Sequence, residues 1–223
     1  MIIDIISLFP NFWKNFLSYP IIKKSIKKKI IKFNIYYLKN YGIGKNYKID
    51  DYPYGGGNGM LLKIEPIYNC IKKIKKKYNE IIFLTPDAKL FSQKTAIKLS
   101  KLNKILFICG HFKGIDQRIR NYIITKEYSI GKYIISNGEI ATLIVIDSII
   151  RLLPGVINNK NSIITDSFYK NNNYYEYPLY TRPNNFNNLK VPKILLSGNH
   201  QKIKNWRKKQ IIIKKNNLNK GTK

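Results

Sequence analysis

The stretch Asp50-Asp51-Tyr52-Pro53-Tyr54-Gly55-Gly56-Gly57-Asn58-Gly59-Met60 is the chain's densest concentration of chemically suggestive residues. Four of the 13 glycines fall within five positions, behind two acids and a proline. Glycine costs folding entropy, so such a cluster implies turns with φ > 0 or a backbone that a ligand must approach closely. No Lys-Ser/Thr pair follows, and the G-x-G-x-x-G spacing is absent, so neither common phosphate-cradling loop is present. A flexible linker is the other reading, but Asp-Asp-Tyr-Pro-Tyr and Met-Leu-Leu are poor linker flanks. A ligand-contacting loop fits better, because function concentrates on loops.

Charge points to a polyanionic partner: 41 Lys+Arg stand against 12 Asp+Glu, a net charge of +29. Part of the lysine excess belongs to a composition saturated with Ile, Lys, Asn and Tyr, all served by A/T-rich codons. Within it only five arginines occur, at positions 118, 120, 151, 182 and 207. Each is a candidate for bidentate contact with phosphate or a base edge, which lysine makes poorly, although some are chance survivors. Taken alone, Asp166 reads as a helix cap or Asx turn, and Arg151 as a cation favoured at a helix C-terminus. His111 reads as a loop residue rather than a catalyst, and His200 as a cap or phosphate contact. Cys70 and Cys109 form no metal or disulfide spacing and sit in apolar company, as in a reducing compartment.

The elements that must position these residues follow a rhythm. Residues 1–8 read as a buried strand ending at Pro10, 11–19 as a short helix, and 33–38 as a strand. After the glycine loop, 64–78 carries apolar residues at helical spacing with a lysine-rich outer face. Residues 80–84 form a strand stopped by Thr85-Pro86, and Ser92 caps a helix running to Leu99. A second strand, 104–109, stops at Gly110-His111-Phe112-Lys113-Gly114 and leads to a helix over 115–122. Residues 133–135 read as a third strand, stopped by Ser136-Asn137-Gly138, and 139–153 as a long apolar helix. Strand, tight loop and helix, repeated, predict a parallel α/β sheet. Ligands bind at the C-terminal strand ends of such sheets, so these loops should line one pocket.

Length and composition set the frame. A chain of 223 residues, 44% apolar, makes one large domain or one domain with a small annex. Pro154-Gly155 closes the long helix. Residues 158–188 are Asn- and Tyr-rich and read as a linker, and 197–215 resume helical character. Asp4 interrupts the N-terminal apolar run, which argues against a signal peptide. No uncharged apolar run reaches about 18 residues, so no membrane span is expected. The expectation is a soluble, cytoplasmic protein.

Several strings are specific in combination: ISLFP (6–10), DDYPYGGGNGM (50–60), CGHFKGID (109–116), SIGKYIISNGE (129–139), DSIIRLLPGV (147–156), TDSF (165–168), YTRP (180–183) and LLSGNH (195–200), with Trp206-Arg207. In this order the chain resembles the bacterial tRNA (guanine-N1)-methyltransferase family, TrmD, of the SPOUT class, from residue 1 to about 210. The resemblance implies a knotted α/β cofactor domain over 1–157, its trefoil knot formed by 81–153. It further implies a linker over 158–188 carrying a catalytic Asp and a small helical tRNA-binding domain over 189–223, shorter than in most members. The implied assembly is a homodimer.

The activity implied is methyl transfer from S-adenosylmethionine to N1 of the guanosine 3′ of the anticodon. Asp166 matches the family's general base and Arg151 its O6-stabilising arginine, with Asp166 reaching the partner subunit's cofactor site. The cofactor positions implied are Leu84, Thr85, Pro86, Gly110, Phe112, Lys113, Ser129, Ile130, Gly131, Tyr133, Ile135 and Gly138. Magnesium is a second candidate ligand, although no protein metal site is expected. Asp50, Tyr54, Gly55, Gly56, Gly57, Asn58, Gly59 and Met60 would face the target guanosine, with Arg182, His200 and Arg207 on the tRNA. Three positions depart from the family pattern: Ala88 and Asn137 replace glycine, and Lys113 replaces glutamate. Two alternatives stand beside the enzyme: a decayed tRNA-binding protein of the same fold without methyl transfer, and a ribosome-associated structural protein. The latter explains the charge but not the loops.

Overall fold

The computed structural model describes residues 1–158, 160–169 and 175–220. The chain divides into two units, Met1–Asn158 and Asn159–Lys223. The first unit begins with β1 (Ile2–Ser7), α1 (Pro10–Ser18), α2 (Pro20–Lys27) and β2 (Lys32–Tyr37). A two-stranded ribbon of β3 (Asp50–Asp51) and β4 (Leu61–Leu62) carries the glycine loop at its turn. Next come α3 (Ile64–Ile74), β5 (Glu80–Leu84), α4 (Gln93–Leu99), β6 (Lys104–Ile108), α5 (Gln117–Tyr122), β7 (Lys126–Tyr128) and α6 (Gly138–Ile150).

Five strands form one parallel sheet in the order β2-β1-β6-β5-β7. Helices cover both faces, so the central strands are apolar on both sides and read as continuous hydrophobic runs. Ile3, Ile5, Ile105 and Phe107 pack toward one cluster with Trp13, Phe16, Leu99, Val145 and Ile149. Ile6, Leu106 and Ile108 point the other way, against Leu38, Leu62, Ile67 and Ile119. Alternate residues of each strand therefore feed opposite layers. Asp4, in the middle of β1, is fully buried yet satisfied by Lys76 Nζ at 2.7 Å, Tyr78 OH at 2.5 Å and Asn34 Nδ2 at 2.5 Å.

This layering also selects where a ligand can bind. The chain leaves β5 toward α4, whose Leu99 lies in the first cluster, and leaves β6 toward α5, whose Ile119 lies in the second. Adjacent strands whose connections depart to opposite faces open a crevice at their C-terminal ends.

One predicted strand is corrected. Residues 133–135 are not a strand; the edge strand is β7, Lys126–Tyr128, paired with β5 at Ile82 through Leu84. A short apolar triplet cannot tell a strand from a pocket wall. The strand residues at this exposed edge are Lys, Glu and Tyr, which carry no apolar signature. The predicted 64–78 helix stops at Ile74, because Lys75 turns left-handed at φ 50.

In the second unit, α7 (Lys160–Thr165) falls within the stretch read as linker. A hairpin of β8 (Asn185–Phe186) and β9 (Leu189–Lys190) turns through Asn187 and Asn188, both at positive φ, as a two-residue primed turn requires. Helix α8 spans His200–Lys220.

Candidate functional site

A pocket of about 490 Å³ opens at the crevice beside the ends of β5 and β6. Its walls are the segment after β5, the Gly110–Gly114 loop, the 129–137 loop and the first turn of α6. Every residue that the sequence resemblance implies for the cofactor lines it, from Leu84 to Gly138. The loop before α6 runs against the end of β6: Gly138 N–H donates to Gly110 O at 2.8 Å. A Cβ on Gly138 would stand 2.5 Å from Gly110 N, so only glycine permits that approach. Asn137 caps α6 by accepting the Ile140 N–H at 3.2 Å.

Backbone hydrogen bonds set the 129–137 wall. Ser129 N–H donates to Lys89 O at 2.9 Å, and Ser129 O accepts the Phe91 N–H at 2.7 Å. Its hydroxyl donates to Gly131 O at 2.9 Å and accepts the Gly131 N–H at 3.2 Å, closing a small loop. Beneath the Thr85–Asp87 turn, Arg120 forks onto both Glu127 oxygens, at 2.7 and 2.8 Å, and reaches Asp87 at 3.0 Å. The hydroxyl of Thr85, first, and then Arg120 hold the Asp87 carboxyl below its ordinary range against the effect of burial. Arg120 and Arg118, the latter forked onto Asp116, therefore serve carboxylates of this chain.

A buried network beneath the pocket was not predicted. Glu139, fully buried in the first turn of α6, accepts from Ser7 Oγ at 2.7 Å and Leu8 N–H at 3.2 Å, and its other oxygen lies 2.7 Å from His111 Nε2. Burial alone would raise its carboxyl, but the hydrogen bonds from His111 and Ser7 prevail and hold it below the ordinary glutamate range. Three segments far apart in sequence are thus tied at one carboxylate: the end of β1, the 110–114 loop and α6. Ser7 and Glu139 both lie inside strings that single the chain out, ISLFP and SNGE, which was the only signal available for them.

Opposite this network, the glycine loop needs its glycines. Gly55, Gly56, Gly57 and Gly59 all adopt positive φ, from 80 to 115°. Tyr54 at its head is fully exposed. Met60 O accepts the Lys113 N–H at 3.0 Å, and a Cβ at Gly59 would stand 2.9 Å from Lys113 Cγ. The glycine loop and the pocket loop therefore lie side by side, with the Lys113 stem along Gly59. Asp50 begins β3, and its neighbour Asp51 pairs with Lys48 at 3.0 Å and Lys63 at 3.5 Å.

Arg151 follows α6 in the first unit, where its amide donates to Asp147 O at 3.2 Å. Asp166 follows α7 in the second unit, its amide donating to Ile163 O at 3.2 Å. In that unit the Arg207 guanidinium lies 4.6 Å from the Tyr177 ring centroid, His200 begins α8, and Arg182 precedes Pro183. Among the described residues no group of three or more His, Cys, Asp or Glu could hold a metal ion, and no helix is long and apolar enough to cross a membrane.

Comparison with known proteins gives this arrangement its context. A family model described as tRNA (Guanine-1)-methyltransferase TrmD matches residues 1–220. A protein of Listeria welshimeri named tRNA (guanine-N(1)-)-methyltransferase is 46% identical over 216 residues, covering 95% of this chain and 87% of its own length. Relatives with the same name in Dictyoglomus turgidum and Christiangramia forsetii are 42% and 45% identical, each over 212 residues, covering 95% and 94% of this chain and 85% and 93% of their own lengths. A match spanning both units and carrying the pocket segments in order identifies the chain as a member of the tRNA (guanine-1)-methyltransferase TrmD family.

Proposed function

We propose that this protein methylates N1 of the guanosine 3′ of the anticodon in tRNA, using S-adenosylmethionine. The observation that carries the reading is a pocket at the C-terminal sheet edge, walled by segments 84–86, 110–114 and 129–138, in a chain of this family. Its lining fits the donor. Leu84, Ile130, Tyr133 and Ile135 offer apolar surface to an adenine, and Gly110 and Gly138 keep the backbone open where a Cβ would intrude. Bound there, S-adenosylmethionine supplies an electrophilic sulfonium methyl group.

The chain's own residues supply the rest. Guanine N1 carries a proton at neutral pH and attacks only once a base removes it. Asp166 is assigned that base role, and Arg151 the stabilisation of charge growing on O6. The Gly55–Gly59 loop and Asp50 are assigned to the target guanosine; Arg182, His200 and Arg207 are assigned to the tRNA. Lys113 stands where an acid is usual, so magnesium would be held chiefly by donor, RNA and water oxygens.

The finer architecture belongs to the same proposal: a knot over 81–153, an RNA-gripping unit over 189–223, and a cytoplasmic homodimer in which Asp166 serves the partner's pocket. Ile140 and Ile144, one turn apart on α6 and 38% and 43% exposed, support a second packing partner for that helix. Labelled S-adenosylmethionine with unmodified tRNA tests the function directly. The parent should transfer methyl groups, and Asp166→Asn should bind donor yet lose roughly 10²–10⁴-fold in turnover. A parent that binds tRNA without transfer would return the decayed RNA-binding alternative.

A further inference from the structure

The parallel sheet has two edges of opposite character. Its C-terminal strand ends open onto the donor pocket. Its N-terminal strand ends, about 17 Å away along a five-residue strand, carry a row of lysines. β2 starts at Lys32, β6 at Lys104 and β7 at Lys126, and the turns leading into β2, β5 and β6 add Lys29, Lys75 and Lys101. All six are exposed, and none makes an ion pair among the described residues. The acids beside them are engaged: Glu80 accepts from the Thr125 hydroxyl, and Glu127 takes the fork of Arg120. No acid occurs between Asp4 and Asp50, the stretch that supplies Lys29 and Lys32.

Lysine-rich composition does not account for this row. Lys29 and Lys75 hold φ 57 and 50, in the left-handed region, at the ends of α2 and α3. Glycine or asparagine relaxes that conformation, and asparagine is served by codons as A/T-rich as those of lysine. The helix ends do not require a cation there either, because Lys24 and Lys27 already occupy the last turn of α2, and Lys72 and Lys73 that of α3. Six unpaired like charges on one edge repel one another, a cost that a polyanion laid across them removes.

The partner's chemistry follows from what the edge lacks. Insertion into lipid needs exposed apolar side chains, and none of the large ones falls in 28–32, 75–80, 101–104 or 125–126. Unpaired bases are held on aromatic rings, and base edges are read chiefly by arginine, which is absent from these segments. Lysines meet phosphates as point charges. From β2 to β7 the strand starts span four strand spacings, about 19 Å, comparable to the breadth of a nucleic-acid duplex.

We infer that this edge is a docking surface for the phosphate backbone of an RNA duplex, separate from the tRNA being methylated and bound without regard to sequence. The assignment goes beyond the proposed function and does not depend on it, because the edge lies at the far ends of the strands from the pocket.

The test is binding of an RNA duplex of unrelated sequence and about 16 base pairs, the span of a shape-reading RNA domain. Fluorescence anisotropy on the full chain would follow it across a salt series. The combined variant Lys32→Gln, Lys104→Gln, Lys126→Gln should bind at least about tenfold more weakly at low salt, with the slope of log affinity against log salt reduced by about 2 to 3. The same change of charge through Lys14→Gln, Lys45→Gln, Lys94→Gln should leave both near the parent's values. Melting temperature, donor affinity and KM for tRNA should match the parent in both variants. A strand-start variant that binds the duplex like the control variant overturns the docking surface, and so does a parent without duplex affinity. Loss of tRNA affinity in step with duplex affinity also overturns it, since the edge would then belong to the tRNA interface. Loss of binding to phosphatidylserine vesicles with the duplex retained overturns it in favour of a lipid partner. A parent that binds tRNA without methyl transfer refutes the proposed function alone, and the contrast between the two variants still decides the edge.

Discussion

Replacing Glu139 separates the buried network from the pocket chemistry above it. In Glu139→Ala the Ser7 hydroxyl, the Leu8 N–H and His111 Nε2 all lose their acceptor at a site with no solvent access. Breaking a buried, charge-assisted set by removing one partner costs about 3–5 kcal/mol, chiefly through the groups left unsatisfied. Glu139→Gln keeps one oxygen for Ser7 and Leu8 and disturbs only the His111 contact, so about 1–2 kcal/mol is expected. At about 2–4 °C per kcal/mol for a unit of this size, thermal melts should fall by roughly 2–8 °C for Gln and roughly 6–20 °C for Ala. Calorimetry should also show weaker donor binding in Glu139→Ala, because the 110–114 loop loses its anchor to β1. An Ala variant melting within about 2 °C of the parent would refute the reasoning, since the carboxylate would then hold nothing together.

The same carboxyl predicts a pH dependence. It is depressed in the fold, so its contribution is present above the unfolded value of about 4.3 and is lost as pH falls through the lower folded value; the gap between parent and Glu139→Gln melts should narrow as pH falls below the unfolded value and close below the folded one. Gly138→Ala drives a Cβ to 2.5 Å from Gly110 N, backbone against backbone, so a loss of about 1–3 kcal/mol in melts and a distorted donor site in calorimetry are expected. Arg151→Lys should reduce single-turnover methyl transfer by at least about tenfold with donor binding kept, because a point ammonium does not reproduce a planar fork. Lys113→Glu should tighten donor binding in the absence of RNA by removing like charge from the pocket wall, and a calorimetric titration showing equal or weaker binding would displace Lys113 from the donor's methionine end.

The strands 80–84 and 104–109 and the helix capped by Ser92 were legible because their signals are local: apolar runs closed by Thr-Pro or Gly, and an oxygen placed to cap. The 84–86 and 110–114 segments were legible for the same reason, since each follows its strand directly and a parallel sheet gathers such loops on one edge, whereas the 129–133 wall entered only through the family resemblance. The glycine cluster announced its positive φ values by composition alone. The edge strand 126–128 was hidden, because an exposed edge needs no apolar residues and the neighbouring Tyr-Ile-Ile, spent on the pocket wall, imitated a strand. Equally hidden were the pairings that join distant segments: Glu139 with Ser7 and His111, Asp4 with Lys76 and Tyr78, Tyr47 with Gly42. A buried carboxylate is tolerable only where the folded chain brings it donors, and those donors lie 132 residues away in the case of Ser7 and 72 in that of Lys76. Backbone preference and hydrophobic pattern are written residue by residue, whereas the satisfaction of buried polar groups exists only once the layers have closed.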